Sequence, residues 1–225
     1  PAPEPAALWL AAISVEDVER AKAFATTNGA EVVLPIRELP DLGKRVVLRD
    51  PQGALVALLE TTRGDPADRA ISPGEFYWMD LYTTDRQGAA GFYRGLAGYE
   101  IDERQFAELT RLVLASQGYA RAGIAPLPEQ VERPGWLPYV LVDDVRATVE
   151  RARQAGGELL IAPSDTLLEG RLAVFADPSS GVIGILASRI KERYHRPVIA
   201  FAPEDALGHA AARDLTVRCA STSGG

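Results

Sequence analysis

One short apolar stretch holds three residues that could do chemistry together. Between Phe76 and Thr83, the residues Trp78, Asp80 and Tyr82 stand two apart, and on a strand residues two apart share a face. That face would carry two aromatic planes with a carboxylate between them. Such a set suits a flat ligand, because the rings can stack on it while Asp80 accepts a hydrogen bond or acts as a catalytic base. A second stretch, Leu137 to Val142, places Leu137, Tyr139 and Leu141 on a common face. Tyr139 and Leu137 would then join Trp78 and Tyr82 as ligand-binding residues. A plainer reading puts Asp80 at a solvated edge and treats the aromatics as ordinary core. The residues leave both readings open.

Other candidates read as structure. Asp50-Pro51 and Asp177-Pro178 have Asp and Pro at the first two positions of a turn, which makes them turn formers before catalytic acids. Arg104, Arg111, Arg121 and Arg171 could reach an anionic ligand, but a solvated strand face or loop is the ordinary place for them. Gly156-Gly157 stops a helix rather than opening one, so it is no phosphate loop. The two histidines, His195 and His209, and the single Cys219 all lie near the C-terminal end. No serine outside that region has a nearby imidazole to activate it.

These residues must be positioned by something, and a repeat supplies it. Shifting the sequence by 127 positions superimposes Trp9-Leu10 on Trp136-Leu137, Val15 to Val18 on Val142 to Val145, Gly29 to Glu31 on Gly156 to Glu158, and Asp50-Pro51 on Asp177-Pro178, without a gap. Matches fall on turns and strand ends as well as on apolar positions. In each copy a strand (Leu8 to Ile13; Leu137 to Val142) meets a cap (Ser14; Asp143 or Asp144), and a helix follows. Three strands come next (Val32 to Leu34, Arg45 to Leu48, Ala54 to Leu59; Leu159 to Ile161, Leu172 to Phe175, Val182 to Leu186). The unit is βαβββ. Residues 75–126 give the same order more weakly, with Asp85 as N-cap, Gly98 as helix stop and strands at Tyr99 to Glu103, Thr110 to Ala115 and Tyr119 to Ile124.

The expected fold class is therefore α+β, with two consecutive βαβββ units and one further unit. Residues 1–62 hold the lone unit, 74–188 a module of the two consecutive units and 189–225 a tail containing a basic stretch (Arg189 to Arg196), a short helix (Pro203 to Asp214) and a disordered Ser/Gly end. Linkers rich in Pro, Gly and charge separate the units. The Pro/Ala stretch Pro1 to Pro5 reads as a linker to something upstream.

The order of elements, the turns at Asp50-Pro51 and Asp177-Pro178, and the entries "PGWLPYVLVDDVRATVERARQAGGELL" and "FYWMDLYTTDRQGAAGFYRGLAGYEI" resemble the vicinal oxygen chelate superfamily of glyoxalases, bleomycin-resistance proteins and extradiol dioxygenases. The resemblance implies that paired units form an open cup around a small-molecule site. It implies a partner for the lone unit, upstream of Pro1 or from another chain, as a homodimer would supply. In metal-dependent members, His, Gln or Glu at set strand positions hold a divalent ion. Those positions here are Trp78, Leu137, Gly184 and Ala57, none of which can ligate, so no metal and no cofactor is expected.

A net charge of -7 and a pI near 5.0 oppose a nucleic-acid surface, which needs clustered Lys and Arg. No apolar run approaches the roughly 18 to 20 residues that span a bilayer. The chain reads as soluble, cytoplasmic rather than exported, with a small-molecule ligand as partner. The favoured function is metal-free binding of a small organic molecule in the cup. The alternatives are a metal-dependent lyase or dioxygenase of the same superfamily, a metal-independent enzyme using Asp80, and a structural module whose cup is filled by its own side chains.

Overall fold

A computed structural model of the chain describes residues 8–65, 67–106, 109–129, 131–187 and 200–201. The expected tail helix, the basic stretch and the Pro1 to Pro5 linker lie outside the described residues, as do both histidines and Cys219.

The lone unit runs β1 (Leu10–Ser14), α1 (Val18–Thr27), β2 (Glu31–Leu39), β3 (Gly43–Arg49) and β4 (Leu55–Thr61). The second unit comprises β5 (Phe76–Thr83), α2 (Arg86–Ala97), β6 (Glu100–Phe106), β7 (Leu109–Ser116) and β8 (Tyr119–Pro126). In the third are β9 (Gly135–Val142), α3 (Val145–Gln154), β10 (Glu158–Ile161), β11 (Leu172–Ala176) and β12 (Val182–Ala187). A short strand β13 (Ala200–Phe201) follows. Each helix opens on the same kind of residue: Asp17, Asp85 and Asp144 accept from the backbone N–H groups of Arg20, Gly88 and Ala147. Ser14, expected as the first cap, is instead the last residue of β1. Asp17 caps because it is the residue that the repeat aligns with Asp144.

The units build two sheets. Eight strands run in the order β10-β11-β12-β9-β5-β8-β7-β6, and five in the order β13-β1-β4-β3-β2. In the large sheet β5 and β9 meet antiparallel at the centre, each flanked by its own unit's last strand running parallel. The lone unit repeats the order of the third, and β13 lies antiparallel along β1 as β5 lies along β9.

Helices cover one face of each sheet, and those faces share a core. Val46, Leu48, Val56 and Leu58 of the lone unit belong to the same buried cluster as Leu81, Phe92, Tyr93, Leu114, Ile124 and Trp136 of the module. Phe24 of α1 reaches the backbone of α2 at Gly95, where an added Cβ would stand 2.4 Å from the ring tip. Trp136 packs edge-on against Tyr93 with centroids 5.4 Å apart, in the packing role its place in the repeat implies.

The Asp-Pro turns are built as expected, and one does more. Asp177 accepts from the N–H groups of Ser179 and Gly181. Asp50 accepts from those of Gln52 and Ala54, and its second oxygen accepts from the Tyr93 hydroxyl at 2.8 Å. The lone unit is thus pinned to α2 through a carboxylate 3% exposed. Burial raises the Asp50 pKa, partly offset by the Tyr93 hydroxyl and the turn N–H groups. A raised folded-state pKa means that the stability Asp50 contributes is fully present below its ordinary value and lost as pH rises through the folded one. Asp50→Asn removes that titration. In urea denaturation between about pH 3.5 and 7, the wild type should lose stability relative to Asp50→Asn as pH rises. A pH-independent difference would show that burial does not govern this carboxyl.

Candidate ligand-binding cup

The face of the large sheet opposite the helices carries the candidate residues. Trp78, Val113, Ala120, Tyr139, Leu172 and Leu186 form a buried cluster there, with Tyr77, Leu137, Leu167 and Leu168 packed against it. Strand alternation brings Trp78, Asp80 and Tyr82 to this face on β5, and Leu137 and Tyr139 to it on β9. The register places Trp78 opposite Tyr139 and Asp80 opposite Leu137.

Asp80 does not sit at a solvated edge. Its strand is central and the residue is 0% exposed. One carboxylate oxygen accepts from the Trp78 indole N–H at 2.9 Å and the other from the Arg111 guanidinium at 2.6 Å. Arg111 in turn lies beside Tyr82, whose hydroxyl is 2.8 Å from that of Tyr139. A continuous polar line therefore crosses the apolar face from β5 through β7 to β9. Burial lowers the Arg111 pKa, but the Asp80 charge, the two tyrosines and the hydrogen bond to Asp80 together outweigh it and leave the value above normal. Tyr139 is pushed well above the usual phenol range by burial and then by the Asp80 charge, and Tyr82 is raised by the same two causes. Both phenols are protonated at neutral pH, and either can donate to the other.

Two glycines make room for this line. An added Cβ at Gly123 would stand 2.1 Å from Asp80 Oδ1, and one at Gly184 would stand 2.3 Å from Tyr139 Cδ1. These positions correspond: β8 pairs Gly123 with Asp80, and β12 pairs Gly184 with Tyr139. In the lone unit the same pair is Ala12 and Ala57. Gly123 carried no signal of its own in the sequence, although the repeat places it.

The arginines depart from expectation. Arg111 and Arg121 are not on solvated faces, since their side chains are 18% and 3% exposed. A buried carboxylate needs a cationic partner, and Arg111 is that partner. Arg121 meets Asp68, a residue of the linker that the sequence did not single out, in a two-pronged pair at 2.6 and 3.0 Å. Arg104 and Arg171 are more open and pair with near neighbours, Asp102 and Glu169. A cavity of about 380 Å³ lined by Glu38, Leu39, Lys44 and Glu60 among others lies on the lone unit, away from this face.

Residues 78–185 match the family model described as a glyoxalase-like domain. That stretch is therefore similar to glyoxalase-like domains. Among relatives, CFP32 of Mycobacterium tuberculosis, whose name provisionally assigns it to the glyoxylases, is 29% identical over 180 residues, covering 80% of this chain and 69% of that protein. DauV, an anthracycline biosynthesis protein of Streptomyces sp., is 29% identical over 189 residues, covering 84% of this chain and 68% of its own. The 2,3-dioxygenase LapB of Pseudomonas sp. shares the fold, with a TM-score of 0.51 at 16% identity over 82% of this chain and 72% of that one. Separately, a 46-residue stretch is 59% identical to the single-stranded-DNA-specific exonuclease RecJ of Escherichia coli, covering 20% of this chain but 8% of the exonuclease.

The superfamily's divalent ion does not fit the residues present. At the positions that would ligate it stand an indole (Trp78), an alkyl chain (Leu137) and a glycine (Gly184) whose side-chain space is filled by the Tyr139 ring. The nearby carboxylate, Asp80, is engaged by Trp78 and Arg111. Among the described residues, no three His, Cys, Asp or Glu side chains come together as an ion site.

Proposed function

We propose that the protein binds a small, flat organic molecule in the cup of the 78–185 domain without a metal ion. The observation that carries this reading is the line Trp78–Asp80–Arg111–Tyr82–Tyr139, a set of fixed polar groups within an apolar, aromatic face. Sites for organic molecules are built this way, with apolar and aromatic walls and a few placed donors that set orientation. Trp78 and Tyr139, with Leu137, give the wall its aromatic and apolar character, and the Tyr82–Tyr139 pair, in which one hydroxyl donates to the other, keeps one O–H that neutral pH does not remove. Asp80 holds the Trp78 and Arg111 side chains in place. Its oxygens are already accepting, which favours positioning over proton abstraction and binding over turnover. The name of DauV, which ties that relative to anthracyclines, a class of fused aromatic compounds, agrees with a flat ligand.

Calorimetric titration with neutral flat aromatics, starting with 2-naphthamide, tests the reading. Saturable binding, recovery of the compound unchanged and substoichiometric metal in the purified protein are the expected results. Near-stoichiometric Mn, Fe, Zn or Ni, turnover abolished by a chelator, or no saturable binding across the series would each overturn it.

A further inference from the structure

Arg121 is buried for a reason that neither the sheet nor the aromatic face explains. It sits at a β-bulge: Ala120 pairs with Ala115 and Ala122 with Leu114, so Arg121 is the extra residue on its strand. Bulges re-aim side chains. Arg121 lies two residues before Gly123, where an added Cβ would meet Asp80 and Trp78, and its guanidinium stands 5.3 Å from the centre of the Tyr119 ring. A planar guanidinium with an aromatic neighbour is a fork shaped for a carboxylate. The carboxylate found there is Asp68, which comes from the segment joining the lone unit to the module.

Asp68 and Asp80 differ in what holds them. Asp80 belongs to a central strand and cannot leave without breaking the sheet. Asp68 lies in residues 64–72, which carry neither helix nor strand among those described, and its side chain is 24% exposed. Downstream the segment is tied to the module, where Arg69 and Ser72 bond Glu75 and Gly74 donates to Leu141. Asp68 thus sits on a segment that no strand fixes and that is tethered at its downstream end.

We propose that Arg121 is the carboxylate-recognition subsite of the cup and that Asp68 occupies it as a built-in surrogate, displaced when an aromatic carboxylate binds. This rests on the cup reading given above and adds the ligand's charge. The exchange replaces one two-pronged carboxylate pair by another, so affinity is set by the ligand's ring contacts against the tethered competitor. Competition lowers the apparent affinity by the fraction of molecules in which Arg121 is available, and removing Asp68 lifts that reduction.

The experiment compares 2-naphthoate with 2-naphthamide on wild type, Asp68→Ala and Arg121→Gln by calorimetry. Asp68→Ala should bind 2-naphthoate at least about tenfold more tightly than wild type, corresponding to a closed fraction of about nine-tenths or more. Its affinity for 2-naphthamide should stay within about twofold, and Arg121→Gln should lose the preference for the acid. With native protein, 2-naphthoate should speed tryptic cleavage after Arg63, upstream of the tether, a readout that does not depend on either variant folding. If 2-naphthamide binds but Asp68→Ala gains nothing for 2-naphthoate, or if the acid slows or leaves unchanged the cleavage, Arg121–Asp68 is a structural tie and the inference fails while the cup reading stands. If neither compound binds any of the proteins, both fail.

Discussion

Asp80→Ala should cost about 3–5 kcal/mol of folding stability, the penalty for leaving one member of a buried ion pair without its partner. Arg111 would keep its charge with no carboxylate opposite, in a place where its side chain is 18% exposed, and the Trp78 N–H would lose its acceptor as well. The loss reflects what is left behind more than the net worth of the pair, since both charges were desolvated to form it. The double variant Asp80→Leu with Arg111→Met separates these effects. Apolar replacement of both partners at similar volume is often neutral or better, so it should recover most of the stability that Asp80→Ala loses. Urea denaturation of wild type, single and double variants reads this directly. A single variant within about 1 kcal/mol of wild type would mean that water reaches the pair and pays for its charge. Asp80→Asn would disturb the pair with Arg111 too, so any change in ligand binding would be mixed with a change in folding.

Much of this was legible in the sequence, for identifiable reasons. The gapless shift that superimposes Trp9 on Trp136 fixed the order of elements, and Asp85 and Gly98 bounded α2 because cap and stop chemistry is local. Strand alternation put Trp78, Asp80, Tyr82, Leu137 and Tyr139 on one face, since period two depends only on neighbours in the chain. What it could not give was who stands opposite. Arg111 meets Asp80 across β5, β8 and β7, and Asp68 meets Arg121 over a separation of 53 residues; pairing at that range is set by sheet order and a bulge. Asp50 shows both limits at once. Its turn role follows from the Pro beside it, whereas its bond to Tyr93 depends on how the lone unit packs against α2. Without that contact the burial of its carboxyl had no local signature.

Gly184→Ala should cost about 3 kcal/mol although it adds only one methyl group to the cup. Gly184 has no backbone need for glycine, because its φ does not fall in the left-handed region. The requirement is space alone: the new Cβ would come within 2.3 to 2.5 Å of two Tyr139 ring atoms, and Tyr139 is 4% exposed with little room to give. Overpacking a tight interior costs about 1–3 kcal/mol, and moving the ring would also break its hydroxyl contact with Tyr82, worth about 0.5–1.5 kcal/mol more. If the clash with this ring is the cause, the penalty must depend on it. In a Tyr139→Leu background the smaller side chain vacates the space over Gly184, and adding Gly184→Ala should then cost less than about 1 kcal/mol, giving a coupling of at least about 2 kcal/mol in the double-variant cycle. Additive losses would trace the effect to strand β12 itself. Coupling of that size would tie the glycine to the tyrosine: the position where the superfamily would place a metal ligand would be kept bare so that an aromatic ring can lie over it.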